Sequence, residues 1–84
     1  MMTKEQGPTT KRTVTDLPLG EQARVVAVHG ESRVSRRLLE MGVVPGTSVE
    51  VIKFAPFGDP IEVRVRGYNL AMRRSEAGAI EVSI

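Results

Sequence analysis

His29 is the single histidine of this chain, and cysteine is absent. A borderline first-row metal favours imidazole together with carboxylates, as in the two-histidine, one-carboxylate set. Here the acids stand singly, with no two spaced to converge on one ion, so neither a metal site nor a bound cofactor is expected. A nucleophile–base pair would have to join His29 to Ser32 or Ser35, and Ser32 is explained more simply as a helix cap. No GxxxxGK[ST] phosphate loop occurs, which argues against nucleotide hydrolysis. The lack of cysteine also removes disulfides, thiolate metal sites and thiol catalysis. A lone histidine at a strand end is a surface or turn residue more often than a ligand. The expectation is a protein that is not an enzyme.

What remains is surface. Arg33, Arg36 and Arg37 fall on the outer side of a short helix, with Glu40 within reach of Arg36 at i+4. A solvated face with ion pairing worth about 0.3 kcal/mol is the plain explanation. Contact with an acidic patch or anionic headgroups is the functional one. Arg64 and Arg66 form a second basic row with Glu62, which Arg73 and Arg74 would extend. Phe54, Pro56 and Phe57 sit in or beside one loop, where rings commonly fold back over the barrel edge. Turned outward, Phe57 would be the best partner anchor, because a rigid ring buries much area at low entropy cost. Tyr68 and Met72 are expected to act similarly on the opposite side. The candidate partner-binding residues are therefore Arg36, Arg37, Phe57, Tyr68 and Met72.

The positioning elements follow from periodicity and turn chemistry. The run Ser32–Gly46 (SRVSRRLLEMGVVPG) predicts one amphipathic helix capped by Ser32, with Val34, Leu38 and Met41 on one face and Leu39 widening that stripe. Gly42 suits the left-handed position after a helix, and Pro45-Gly46 suits a type II turn. So short a helix is unstable alone and must plug something. Strands are expected at about 23–29, 48–54, 61–66, 70–73 and 79–84, with one helical turn at 75–78. Alternation is clean for Ile61, Val63 and Val65, and for Ile80, Val82 and Ile84. It breaks in the second strand, where Val49 and Val51 face away from Ile52 and Phe54, so a bulge is expected near Val51–Ile52. Leu17 and Leu19 anchor the turn before the first strand, and Ala55–Pro60 is too rich in proline for a tight hairpin. The fold class is mainly β, a small five-stranded barrel with one short α-helix between strands one and two, closing one opening.

Composition sets the limits. The 84 residues make one domain, with a polar leader over residues 1–13 and the barrel over 14–84. No apolar run is long enough to span a bilayer, and the leader lacks the hydrophobic stretch of a signal peptide. Direct membrane insertion is not expected. Twelve basic against ten acidic residues give a net charge of +2, too mild to call for nucleic acid. A nucleic-acid binder using Arg64, Arg66, Arg73 and Arg74 would also need aromatic stacking platforms, which are scarce. Exposed edge strands would allow pairing into a homo-oligomer.

The order of these elements resembles the FeoA family, the small accessory proteins of bacterial ferrous iron transport. The resemblance is carried by Leu17 and Gly20, Arg37-Leu38, Met41-Gly42, Pro45-Gly46, Gly58-Asp59-Pro60-Ile61, Gly67, Leu70, Arg73, Ile80 and Val82. It covers nearly all of the chain beyond the leader. It implies an SH3-like barrel and a non-enzymatic cytoplasmic protein that docks on the FeoB-type membrane permease, or on its GTP-binding domain, without holding iron itself. It places the protein at the inner face of the membrane through that partner. Arg37 occupies a signpost of the family and would instead brace the turn below it. Related domains are fused to metal-dependent transcriptional repressors, whereas here the expectation is that only the polar leader precedes the barrel. The alternative is a stand-alone regulatory domain that binds a transcriptional regulator or self-associates.

Overall fold

The structure, a computed structural model, describes residues 12–83. Six antiparallel strands form one sheet: β1 (Arg12–Thr13), β2 (Gln22–Val28), β3 (Ser48–Phe54), β4 (Ile61–Val65), β5 (Tyr68–Met72) and β6 (Ile80–Ser83). Their order across the sheet is β1-β6-β2-β3-β4-β5. Helix α1 (Ser32–Glu40) lies between β2 and β3, and α2 (Arg74–Ala77) between β5 and β6. The strand beyond the expected five is β1, whose Arg12 pairs with Val82 and Thr13 with Glu81. The last two residues of the expected leader therefore belong to the sheet, and the rest of that segment lies outside the described residues.

The sheet carries its apolar positions inward. Val49 and Val51 of β3, Ile61, Val63 and Val65 of β4, and Ile80 and Val82 of β6 are all buried. The expected break in β3 is a bulge, because the β3–β4 register shifts between Val51 and Lys53. Ile52 is the unpaired residue, and Phe54 then packs against the core. A second shift falls between Val25 and Ala27 of β2, leaving Val26 exposed. Bulges of this kind bend and twist the strands, which lets so small a sheet curl around a core.

Helix α1 contributes Leu38 to that core, fully buried, with Val34 and Met41 packed against it. Its end is a Schellman motif: the Gly42 N–H donates to Leu39 O at 3.0 Å and the Val43 N–H to Leu38 O at 3.0 Å. Gly42 supplies the positive φ of 95°, and Val43 is buried beside Leu38. Two expectations about this helix are corrected. Ser32 is not the cap, because the helix begins one residue earlier: Glu31 O already accepts the Ser35 N–H at 2.9 Å, and no side chain caps the end. Leu39 does not widen the buried stripe; it is exposed, turned away from the face that Leu38 presents.

The turn after α1 is as expected, with the Thr47 N–H donating to Val44 O at 3.1 Å and Gly46 at φ 93°. It is sewn to β2 by the Gly46 N–H to Val25 O at 2.8 Å and the Val25 N–H to Thr47 O at 2.8 Å. The β4–β5 turn is tighter than expected. Arg66 (φ 54°) and Gly67 (φ 88°) form a two-residue reversal with Val65 opposite Tyr68. Both φ values are positive, as a type I′ hairpin requires. The strand therefore starts at Tyr68 rather than Leu70, since Arg66 adopts a left-handed conformation that its type does not advertise. Before β2, Val14 and Leu17 are buried but Leu19 is exposed, so only one of the two expected leucine anchors is used.

Candidate functional site

The candidate residues divide between two ends of the β4–β5 hairpin. At the turn end, Tyr68 is 48% exposed, and its hydroxyl donates to Met41 O at 2.8 Å. This satisfies one of the carbonyls left free at the end of α1. Arg66 reaches back over the same glycine: a Cβ on Gly42 would lie 3.0 Å from Arg66 Cδ and 3.2 Å from the Tyr68 hydroxyl. On the outer face of β4, Arg64 Nε donates to Asn69 Oδ1 at 3.3 Å, and Asn69 Nδ2 donates to Glu62 Oε2 at 2.9 Å.

At the other end lies the Ala55–Pro60 loop. The Gly58 N–H donates to Ala55 O at 2.7 Å, closing a four-residue turn, and the Ala55 N–H donates to Pro60 O at 3.0 Å. Phe57 stands on this turn with 98% of its surface exposed, so the ring does not fold back over the barrel. Asp59 Oδ1 accepts the backbone N–H of Arg74 at 3.0 Å, which ties the loop to the first turn of α2. Within α2, Glu76 Oε1 accepts the Arg73 N–H at 2.8 Å. Its other oxygen meets Arg37 Nη1 at 3.4 Å, so Arg37 braces α1 against α2.

Met72 is a correction. It was expected at the surface opposite Phe57, but it is 2% exposed and pairs across the hairpin with Ile61. Alternation puts Tyr68, Leu70 and Met72 on one face of β5, and the far end of that face is core. Arg73 and Arg74 likewise do not extend the Arg64–Arg66 row. They follow Met72, a five-residue strand away from the turn, about 17 Å in an extended chain. Arg36 is exposed on α1, in a shallow depression lined by Ser32, Arg33, Arg36, Arg37 and Glu40.

His29 and Ser35, the candidates for chemistry, are engaged in structure. His29 Nε2 lies 2.8 Å from Glu81 Oε1, joining the end of β2 to β6. Ser35 Oγ donates to Ser32 O at 3.2 Å. Among the described residues, no group of three or more His, Asp, Glu or Cys converges on a point that would hold a metal ion. Two structural contacts around these loops carried no signal in the sequence. Asp59 and Arg74 are 15 residues apart, and Arg24, whose Nη1 donates to Gly46 O at 2.9 Å, is 22 residues from its acceptor.

A curled antiparallel sheet plugged by one helix, with an aromatic residue and arginines displayed on connecting loops, defines a small SH3-like domain built around surfaces. The FeoA domain model matches residues 12–84, and the chain belongs to the FeoA domain family. FeoA protein from Chlorobium tepidum is 45% identical with a TM-score of 0.82, over 87% of this chain and 70% of that one. Zinc-complexed FeoA from Stenotrophomonas maltophilia, described as a prokaryotic SH3 domain protein, is 36% identical with a TM-score of 0.76, over 86% of this chain and 89% of that one. The Fe(2+) transport protein A/Fe(2+) transporter FeoB fusion protein of Porphyromonas gingivalis is 39% identical over 71 residues, which cover 84% of this chain and 8% of the fusion protein.

Proposed function

We propose that this chain is a non-enzymatic accessory of ferrous iron transport that docks on the cytosolic, GTP-binding part of a FeoB-type permease and modulates it. The observation that carries this reading is the Porphyromonas gingivalis relative, in which a homologous segment and a FeoB transporter share one polypeptide. A covalent link raises the effective concentration of two modules for each other, and this helps only when they meet. The chemistry of the surface supports the same reading. His29 and Ser35 are held in structural contacts, whereas Phe57 and Arg36 are displayed to solvent.

No helix of the described residues is long and apolar enough to cross a membrane. A position at the inner face of the membrane would then come from the permease. Arg36 and Arg37 are proposed as rim contacts for acidic groups of the partner, with Arg37 sharing its charge with Glu76. The test is a titration of isotope-labelled protein with the purified cytosolic domain of a FeoB-type permease, followed by amide chemical shifts. Saturable shifts confined to one face are expected. A spectrum unchanged through the titration would remove the permease from the account.

A further inference from the structure

The Ala55–Pro60 loop and the first turn of α2 form one surface. Two internal hydrogen bonds shape the loop, Gly58 N–H to Ala55 O and Ala55 N–H to Pro60 O, and the Asp59 carboxylate holds it to the Arg74 N–H at 3.0 Å. Pro56 and Pro60 remove further backbone freedom. The Arg74 side chain lies against this loop, with Nη1 3.9 Å from the place a Cβ on Gly58 would take. Phe57, the neighbour of Gly58, points fully into solvent. Among the described residues, neither Arg73 nor Arg74 forms an ion pair.

The exposed ring is not required by the fold. A turn of this shape places no demand for an aromatic residue at position 57, and a ring outside the core adds nothing to it. What the arrangement does supply is preorganisation. A ring with two side-chain torsions, on a loop already fixed, loses little entropy when a partner covers it. An arginine beside an aromatic is the composition in which binding energy concentrates at protein interfaces.

We infer that Phe57 and Arg74, with Arg73 beside them, are the centre of the docking surface. They fit a protein site consisting of an apolar socket for the phenyl ring with carboxylates on its rim. This deepens the accessory reading above and rests on it, the socket belonging to the permease's cytosolic domain. Charge selects the acidic rim, because Arg73 and Arg74 are exposed with no counterion among the described residues, and Asp59 is already engaged by a backbone N–H. A bilayer surface fits less well. One inserted ring with two cations gives marginal, reversible attachment, since stable anchoring takes stronger apolar insertion or a larger basic patch. Asp59 is a positioning residue, acting through the loop it holds.

The experiment is calorimetric titration of the purified cytosolic domain of a FeoB-type permease with wild type, Phe57→Ala, Phe57→Tyr, Arg74→Glu and Arg74→Lys. Phe57→Ala and Arg74→Glu are each expected to weaken binding about tenfold or more. Phe57→Tyr and Arg74→Lys should retain most of it, and Arg74→Glu should flatten the salt dependence of affinity. The Phe57 side chain is solvent-exposed, so circular dichroism should show an unchanged fold. Wild-type affinity in both damaging variants would overturn the inference and leave the accessory reading standing. No binding by wild type would overturn both. Phe57-dependent sedimentation with phosphatidylcholine–phosphatidylglycerol vesicles, together with Phe57-independent binding to the permease domain, would overturn the inference in favour of a lipid surface.

Discussion

The hydroxyl of Tyr68 donates to the carbonyl oxygen of Met41 at 2.8 Å, which ties the β4–β5 hairpin to the end of α1. The ring approaches over Gly42, where a Cβ would come within 3.2 Å of that hydroxyl. The helix terminus and the hairpin therefore stabilise each other, although 27 residues separate the bonded groups. The contact explains why Tyr68 is only about half exposed.

Substitution at this joint should separate two effects. Tyr68→Phe removes one hydrogen bond at a partly exposed site, and a loss of about 1 kcal/mol in urea denaturation is expected. Gly42→Ala should lose about 1–2 kcal/mol, because alanine is strained at φ 95° and its Cβ meets Arg66 Cδ at 3.0 Å. A Gly42→Ala variant as stable as wild type would show that the helix end can rearrange without the left-handed residue.

The Arg37–Glu76 contact predicts an asymmetry. Arg37 is largely exposed, so Arg37→Ala should change stability by no more than about 0.5 kcal/mol. Glu76→Ala also removes the acceptor for the Arg73 N–H at the start of α2, and about 1 kcal/mol is expected. Chemical denaturation of both variants checks the order. Equal losses would mean that the bond within α2 contributes nothing.

Leu38 should be the most sensitive position of α1. It is fully buried and packs into the single core that the sheet encloses. Leu38→Ala is expected to cost about 2–5 kcal/mol, a large share of what a domain of this size holds. Thermal unfolding should then begin close to room temperature. Leu39→Ala, on the exposed side of the same helix, should melt within a few degrees of wild type.

Arg36→Glu tests the role of the exposed helix face. A rim charge acts on encounter more than on the lifetime of a complex. Association with the permease domain should slow several-fold at low salt, with dissociation nearly unchanged, in surface-plasmon kinetics. A change confined to dissociation would place Arg36 at the centre of the contact instead of its rim.

Much of the architecture was legible from local rules, and the particular residues show why. The alternation of Ile61, Val63 and Val65 marks a half-buried strand whatever surrounds it, because successive side chains must point to opposite faces. Gly42, Pro45 and Gly46 announce their turns because backbone sterics act within two or three residues. The conflict between Val49 and Val51 on one side and Ile52 and Phe54 on the other located the β3 bulge. Arg66 misled because it is left-handed without being glycine or asparagine, and that shifted the assigned start of β5.

By itself the sequence determined the β-rich class, the placement of the helix and its glycine stop, the scarcity of reactive side chains, and the likeness to one family. Those follow from short-range sterics, from hydrophobic periodicity and from residue types that are either present or absent. Tertiary structure decided which polar groups are already spoken for: Tyr68 by Met41, Arg37 by Glu76, Asp59 by the Arg74 backbone. It also decided that Phe57 stands free in solvent, on a loop against which the Arg74 side chain lies. Partners so distant along the chain meet through the register of the β4–β5 hairpin and the curl of the sheet, and no spacing within a single segment encodes such a meeting.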